Sequence, residues 1–146
     1  MTVPIGLEGK AYRNTGTYGS PSWNECVNIK NLTLQLEKGE ADVSRRGSGG
    51  WAAVRGTLKK FQADVEMVWE NTDADAAAFL GAFLNNTTIE VLLLDGAVGT
   101  AGSEGIRATC EVMNFNRTEN LEDGMMVNFT LKAGWSDNPP AWYTAS

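Results

Sequence analysis

The chain contains no histidine. Imidazole is the usual proton shuttle near neutral pH and the commonest metal ligand, so Ser-His-Asp and Cys-His catalysis are excluded. Cysteine is scarce too: Cys26 and Cys110 lie far apart and form no CxxC pair, which leaves zinc and redox chemistry little support. Both read as buried or idle thiols, with one bridge within or between chains as the lesser alternative. Cations are in deficit, 12 Lys and Arg against 18 Asp and Glu, for a net charge of -6. That balance does not suit a protein that grips phosphates, but it suits a surface that sits beside a polyanion without adhering. No apolar run approaches the roughly 20 residues of a membrane helix. The start, MTVPIGLEGKAYR, lacks the basic and apolar stretches of a signal peptide. The expectation is a protein kept in a cytosol, where Asn-x-Ser/Thr triplets such as those at Asn31 and Asn116 meet no glycosylation machinery.

What is present is alternation. Leu32, Leu34 and Leu36 alternate with Thr33, Gln35 and Glu37, and Ala63, Val65, Met67 and Trp69 alternate with Gln62, Asp64, Glu66 and Val68. Strand side chains point to opposite faces in turn, so each segment has one apolar and one polar face. The two segments form a long antiparallel hairpin over residues 26–70, closed by a polar connection from Lys38 to Gly50 that holds four of the 16 glycines. Each limb changes phase once, Val27 and Ile29 against Leu32, then Val54 and Leu58 against Phe61. An inserted residue at a β-bulge has that signature, and the expectation is a bend at comparable depth in both limbs.

The rest of the chain, 146 residues read as one domain, is arranged around this hairpin. Residues 1–25 are polar and aromatic, an arm packing on its own domain or on a neighbour. Residues 72–86 predict the one helix, capped by Asn71 or Thr72, with Phe79, Leu80, Phe83 and Leu84 as its apolar face. Thr88 to Leu94 is apolar on both parities toward its end, a strand covered on both faces with the helix over one. Alternation returns at Ile106–Phe115 and Met125–Leu131, joined by the polar connection of residues 116–124. In the tail, 133–146, Pro139 and Pro140 exclude regular structure, while Trp135, Trp142 and Tyr143 suggest docking. The sum is five or six strands and one helix: a mainly β fold, a β-sandwich or partial barrel of two antiparallel sheets with a flanking α-helix.

Candidate chemistry is thin. Asp64 and Glu66 share a strand face and could act as acid and base, yet beside Gln62 and Glu70 they read as a solvated face. Arg45 and Arg46 before Gly47–Gly50 hint at an anion cradle, but no helix or phosphate-loop pattern follows, and contact with carboxylates such as Glu40 and Asp42 fits better. Spread tryptophans leave a carbohydrate-binding β-sandwich module as the alternative function. No catalytic residue, metal ligand or cofactor is assigned.

The segment ADVSRRGSGGW (Ala41 to Trp51), the strand ending MVWENTDADAAAFLGAF (Met67 to Phe83), FNRTENLEDG (Phe115 to Gly124) and FTLK (Phe129 to Lys132) together resemble the tail tube proteins of tailed bacteriophages. The resemblance covers most of the chain in order and spacing, and related tubes occur in gene transfer agents, tailocins and type VI secretion systems. It implies two packed sheets, a flanking helix and a long bent hairpin. It also implies hexameric rings whose hairpins form an inner barrel, stacked into a hollow tube that conducts DNA. Thr33, Gln35, Glu37, Gln62, Asp64 and Glu66 would then line the channel, with Leu32, Leu34, Leu36, Val65 and Met67 packed against the outer sheet and helix. Glu40, Asp42, Arg45, Arg46 and Trp51 would contact adjacent subunits or rings. Partners implied are further copies of the chain, tape-measure, tail terminator and baseplate proteins, and a sheath if the tail contracts. The implied location is a virion tail assembled in the host cytoplasm.

Overall fold

A computed structural model describes residues 3–146. The strands are β1 (Lys10–Asn14), β2 (Trp23–Glu25), β3 (Ile29–Asp42), β4 (Val54–Val68), β5 (Thr88–Leu94), β6 (Glu104–Thr118), β7 (Met126–Ala133) and β8 (Ala141–Thr144), with one helix, α1 (Ala74–Asn85). The mainly β fold, flanking helix and long hairpin follow the alternation and the single helical stretch. The hydrogen-bond ladder, however, is continuous: one antiparallel sheet of eight strands runs β2-β1-β5-β6-β7-β4-β3, with β8 also on β6. β6 makes this possible. Its first half pairs with β5 over Gly105–Glu111, and its second half pairs with β7 over Cys110–Thr118. What reads as two sheets is one sheet turning along a shared 15-residue strand.

The turn brings one face together as the core. Phe61, Ala63, Val65 and Met67 of β4, Val127, Phe129 and Leu131 of β7, Ile106, Ala108, Cys110 and Val112 of β6, and Ile89, Val91 and Leu93 of β5 enclose Ala76, Phe79 and Ala82 of α1. Phe79 meets Phe129 at 4.6 Å between ring centroids, and Phe129 stacks on Phe115 at 5.8 Å. The other face of β5 buries Leu92 and Leu94 with Tyr12, beneath Trp23, Val98 and Tyr143. β5 is thus covered on both faces, as its sequence predicts.

Several expectations are corrected. The arm holds β1 and β2, and the tail resumes as β8 directly after Pro140, because Pro constrains only its own neighbourhood. Three-residue and four-residue strands carry too few alternations to be read in sequence. Asp73, rather than Asn71 or Thr72, caps α1, its side chain accepting from the Asp75 backbone N–H. The helix buries its alanine side, Ala76 and Ala82 flanking Phe79, and leaves Leu84 and Phe83 exposed. Small side chains let the helix approach the sheet closely, which the bulky stripe would not. The hairpin strands run on to Asp42 and resume at Val54, so Lys38–Asp42 is strand and the connection is residues 43–53. The register shifts lie at opposite ends: β3 carries an extra residue at Lys30 near the base, and β4 one at Thr57–Leu58 toward the tip. The limbs do not bend at equal depth.

Candidate functional site

Cross-strand register gathers the polar hairpin residues on one face. Thr33 pairs with Asp64, Gln35 with Gln62, Glu37 with Lys60 and Asn31 with Glu66. β7 extends the face with Asn128, Thr130 and Lys132 opposite Glu66, Asp64 and Gln62, and β6 extends it with Asn116 and Asn114. Short hydrogen bonds knit the rows. Asn31 Nδ2 donates to Glu66 Oε1 at 2.8 Å, Thr130 Oγ1 to Asp64 Oδ1 at 3.0 Å, and Gln62 Nε2 to Asp64 Oδ1 at 3.2 Å. Asp64 and Glu66 therefore serve as acceptors in an open lattice of amides and hydroxyls. The hairpin pattern alone predicts only part of this face; the matching alternation of β7 is the sequence signal for the rest. The additions also dilute its charge, since Lys60 and Lys132 offset part of Glu37, Asp64 and Glu66.

The opposite face of the hairpin is apolar but only partly covered. Val65 and Met67 are buried and Leu32 and Leu34 half-buried, whereas Leu36 is 55% exposed. Past Phe61 the hairpin leaves the body: β7 meets β4 only over Gln62–Val68, so Val54–Phe61 pairs with β3 alone. This arm exposes Val43, Trp51, Val54 and Leu58. At its tip Gly49 and Gly50 take positive φ, 68° and 85°, a turn that disfavours side chains. Glu40 and Asp42 sit on the strand, not in the connection. Asp42 accepts from the Ser44 backbone N–H at 2.8 Å, and its hydrogen bonds to Ser44 hold its carboxyl below the usual range. Arg45 and Arg46 make no salt bridge among the described residues.

Besides the short outer edges of β2 and β8 and the Val54–Phe61 part of β4, two long edges flank the β6-β7-β4-β3 half of the sheet among the described residues. β3 ends the sheet and is paired on one side only. The second half of β6, past Glu111, has β7 on one edge and no strand on the other. Unpaired edges of this length template pairing with another chain.

The N-terminal segment is fastened to its own body, by contacts no sequence pattern reveals. Arg107 forms a largely buried ion pair with Glu90 at 3.1 Å, donates to the Tyr18 carbonyl at 2.7 Å, and lies 3.8 Å from the Tyr18 ring centroid. Arg13 pairs with Asp75 at 2.8 Å, and Asn24 donates to the same carboxylate at 3.0 Å. Tryptophans form no shared platform: Trp51 is on the tip, whereas Trp135 and Trp142 belong to the C-terminal segment. Among the described residues no cluster of acidic or thiol side chains has the makings of a metal site.

No protein-family model matches the sequence, and no curated protein matches it. Solved structures do share its fold. A chain from the tail of an empty GTA particle, refined with helical and C6 symmetry, superposes with a TM-score of 0.73 at 12% identity, covering 99% of this chain and 100% of that one. A chain from the virion of a native gene transfer agent gives 0.71 at 10% identity, with 99% and 100% covered. The SPP1 tail tube gives 0.71 at 11% identity over 89% of this chain and 75% of the other. The chain has the fold of the tail tube proteins of phages and phage-like particles.

Proposed function

We propose that this chain is the structural subunit of a hollow tail tube, closing six at a time into rings that stack and conduct DNA. The observation that carries this reading is the four-strand inner layer, second half of β6 then β7, β4 and β3, open at both edges and polar on one face. Pairing β3 of one copy with the free edge of β6 in the next removes both edges and closes a barrel across subunits. Six copies supply 24 strands, which at ~4.8 Å spacing and a tilt of about 40° give a backbone diameter of roughly 48 Å. The polar face, from Thr33 and Asp64 across to Thr130 and Asn114, lines the channel, because the alternative places Leu32, Leu34 and Leu36 in water. Uncharged amides and a slight acidic excess offer passing phosphates nothing to hold them by counterion release. The role requires no catalytic group.

Tape-measure, terminator and baseplate proteins, with a sheath in a contractile tail, would complete such a particle. Negative-stain electron microscopy with sedimentation velocity tests the reading. Sixfold rings or hollow tubes are expected, and a monomer at every concentration and under crowding overturns it.

A further inference from the structure

Six of the 12 cations, Lys38, Arg45, Arg46, Arg55, Lys59 and Lys60, lie within residues 38–60, a segment whose own carboxylates are Glu40 and Asp42, with Glu37 across from Lys60. None of the six forms a salt bridge among the described residues. They share the protruding arm with Trp51, 81% exposed, and Leu58, 80% exposed. An arm both cationic and apolar, on a chain of net charge -6, calls for an acidic and apolar receptor.

The fold supplies one at the far end of the same strand. β4 starts at the arm and ends at Val68, which pairs with Met126, and Met126 pairs with Thr118. The connection between β6 and β7 therefore sits beyond the last residue of β4, as the tip sits beyond the first. It carries Glu119, Glu122 and Asp123, and Glu70 follows Trp69, whose N–H donates to the Met125 carbonyl at 2.9 Å. Arg117, 3.3 Å from Glu119, is the adjoining cation. Leu121 at its centre is fully exposed and Met125 is 41% exposed. Two unlike, complementary patches at opposite ends of one subunit have the geometry of a head-to-tail contact, the type that propagates into an open filament.

We propose that the cationic tip, residues 43–55, docks on the acidic connection, residues 119–125, of a second copy stacked along the strand axis, with Trp51 and Leu121 in the apolar centre. The axis of stacking rests on the tube reading above. DNA as occupant would satisfy the cations but leave Trp51 without an apolar partner.

Charge exchange tests the contact. Variants R45E/R46E and E122K/D123K, and the protein carrying all four substitutions, are compared with wild type by sedimentation of tubes. Each one-sided reversal should lower the sedimented fraction by about tenfold, and the four-fold variant should restore it to within about twofold. All the sites are exposed, and circular dichroism melts verify folding. Wild-type yield from either one-sided variant, or no restoration from a folded four-fold variant, overturns the proposal. A second readout is W51C/L121C, in which oxidation of tubes should give a covalent ladder because Cys26 and Cys110 are buried; tubes without a ladder overturn it. Assembly unchanged by R45E/R46E but loss of duplex DNA in a gel shift would assign the arm to nucleic acid instead. If wild type assembles and the exchange fails, this contact alone falls; if wild type never assembles, the tube reading falls with it.

Discussion

Arg107, Glu90, Arg13 and Asp75 show how far single residues were beyond the reach of the sequence. Each ion pair joins strands or a helix that only the folded sheet brings together, and nothing in local spacing marks either. The thiols were legible, since a cysteine within an apolar alternation is normally a core residue. Burial pushes the Cys110 thiol up to about 12, with the Glu90 charge adding to it. Burial, then the Asp75 charge, pushes Cys26 further still. The unfolded chain has thiols near 9.0. Below that pH both states hold the proton and the thiols cause no pH dependence. Above it the unfolded state releases protons that the folded state keeps, so stability falls as pH rises toward 12. The expected loss is about 1.4 kcal/mol per pH unit for each thiol. Urea unfolding at pH 8 and at pH 10.5 should show it, and the C26A/C110A variant should lose visibly less; equal losses would place the thiols in water.

Elements were legible in proportion to their length and to the uniformity of their surroundings. β3, β4 and β7 each border water on one face, so alternation marks them, whereas β1, β2 and β8 are short, β1 pairing with β5, β8 with β6 and β2 only with β1. On α1 the bulky stripe is buried only at Phe79, which Ala76 and Ala82 flank against the sheet, while Phe83 and Leu84 stay exposed. Gly105 marks a close approach within the sheet. It stands where β6 is flanked by both β5 and β8, paired with Leu94 and Tyr143, and a Cβ there would run into the Leu93 carbonyl. With neighbours on both edges the strand has no free direction in which to yield. Gly105→Ala should therefore cost about 3 kcal/mol or prevent folding, while Gly99→Ala, in open space, should stay within about 0.5 kcal/mol. Chemical denaturation of the two variants compares them, and equal stability would mean the sheet relaxes at its first rung.

For the whole molecule, the polar face was legible and the open strand edges were not, because sequence alternation does not describe which edges stay unpaired. Asn114, Asn116 and Thr130 join the hairpin residues only through the register of β6, β7 and β4. The length of β4 then fixes a further quantity. Its 15 residues span about 50 Å. At the tilt of a closed barrel, that span projects to roughly 35–40 Å along the axis. If the tip of one ring rests on the far end of the next, this projection is the axial repeat, and layer lines in images of the tubes should report it. Removing Glu37 and Lys38 together with Lys59 and Lys60 takes two rungs from the arm while preserving the parity of every face. The repeat should then shorten by about 5 Å. A shortened arm that leaves the repeat unchanged would mean that the rings are spaced by contacts elsewhere on the body.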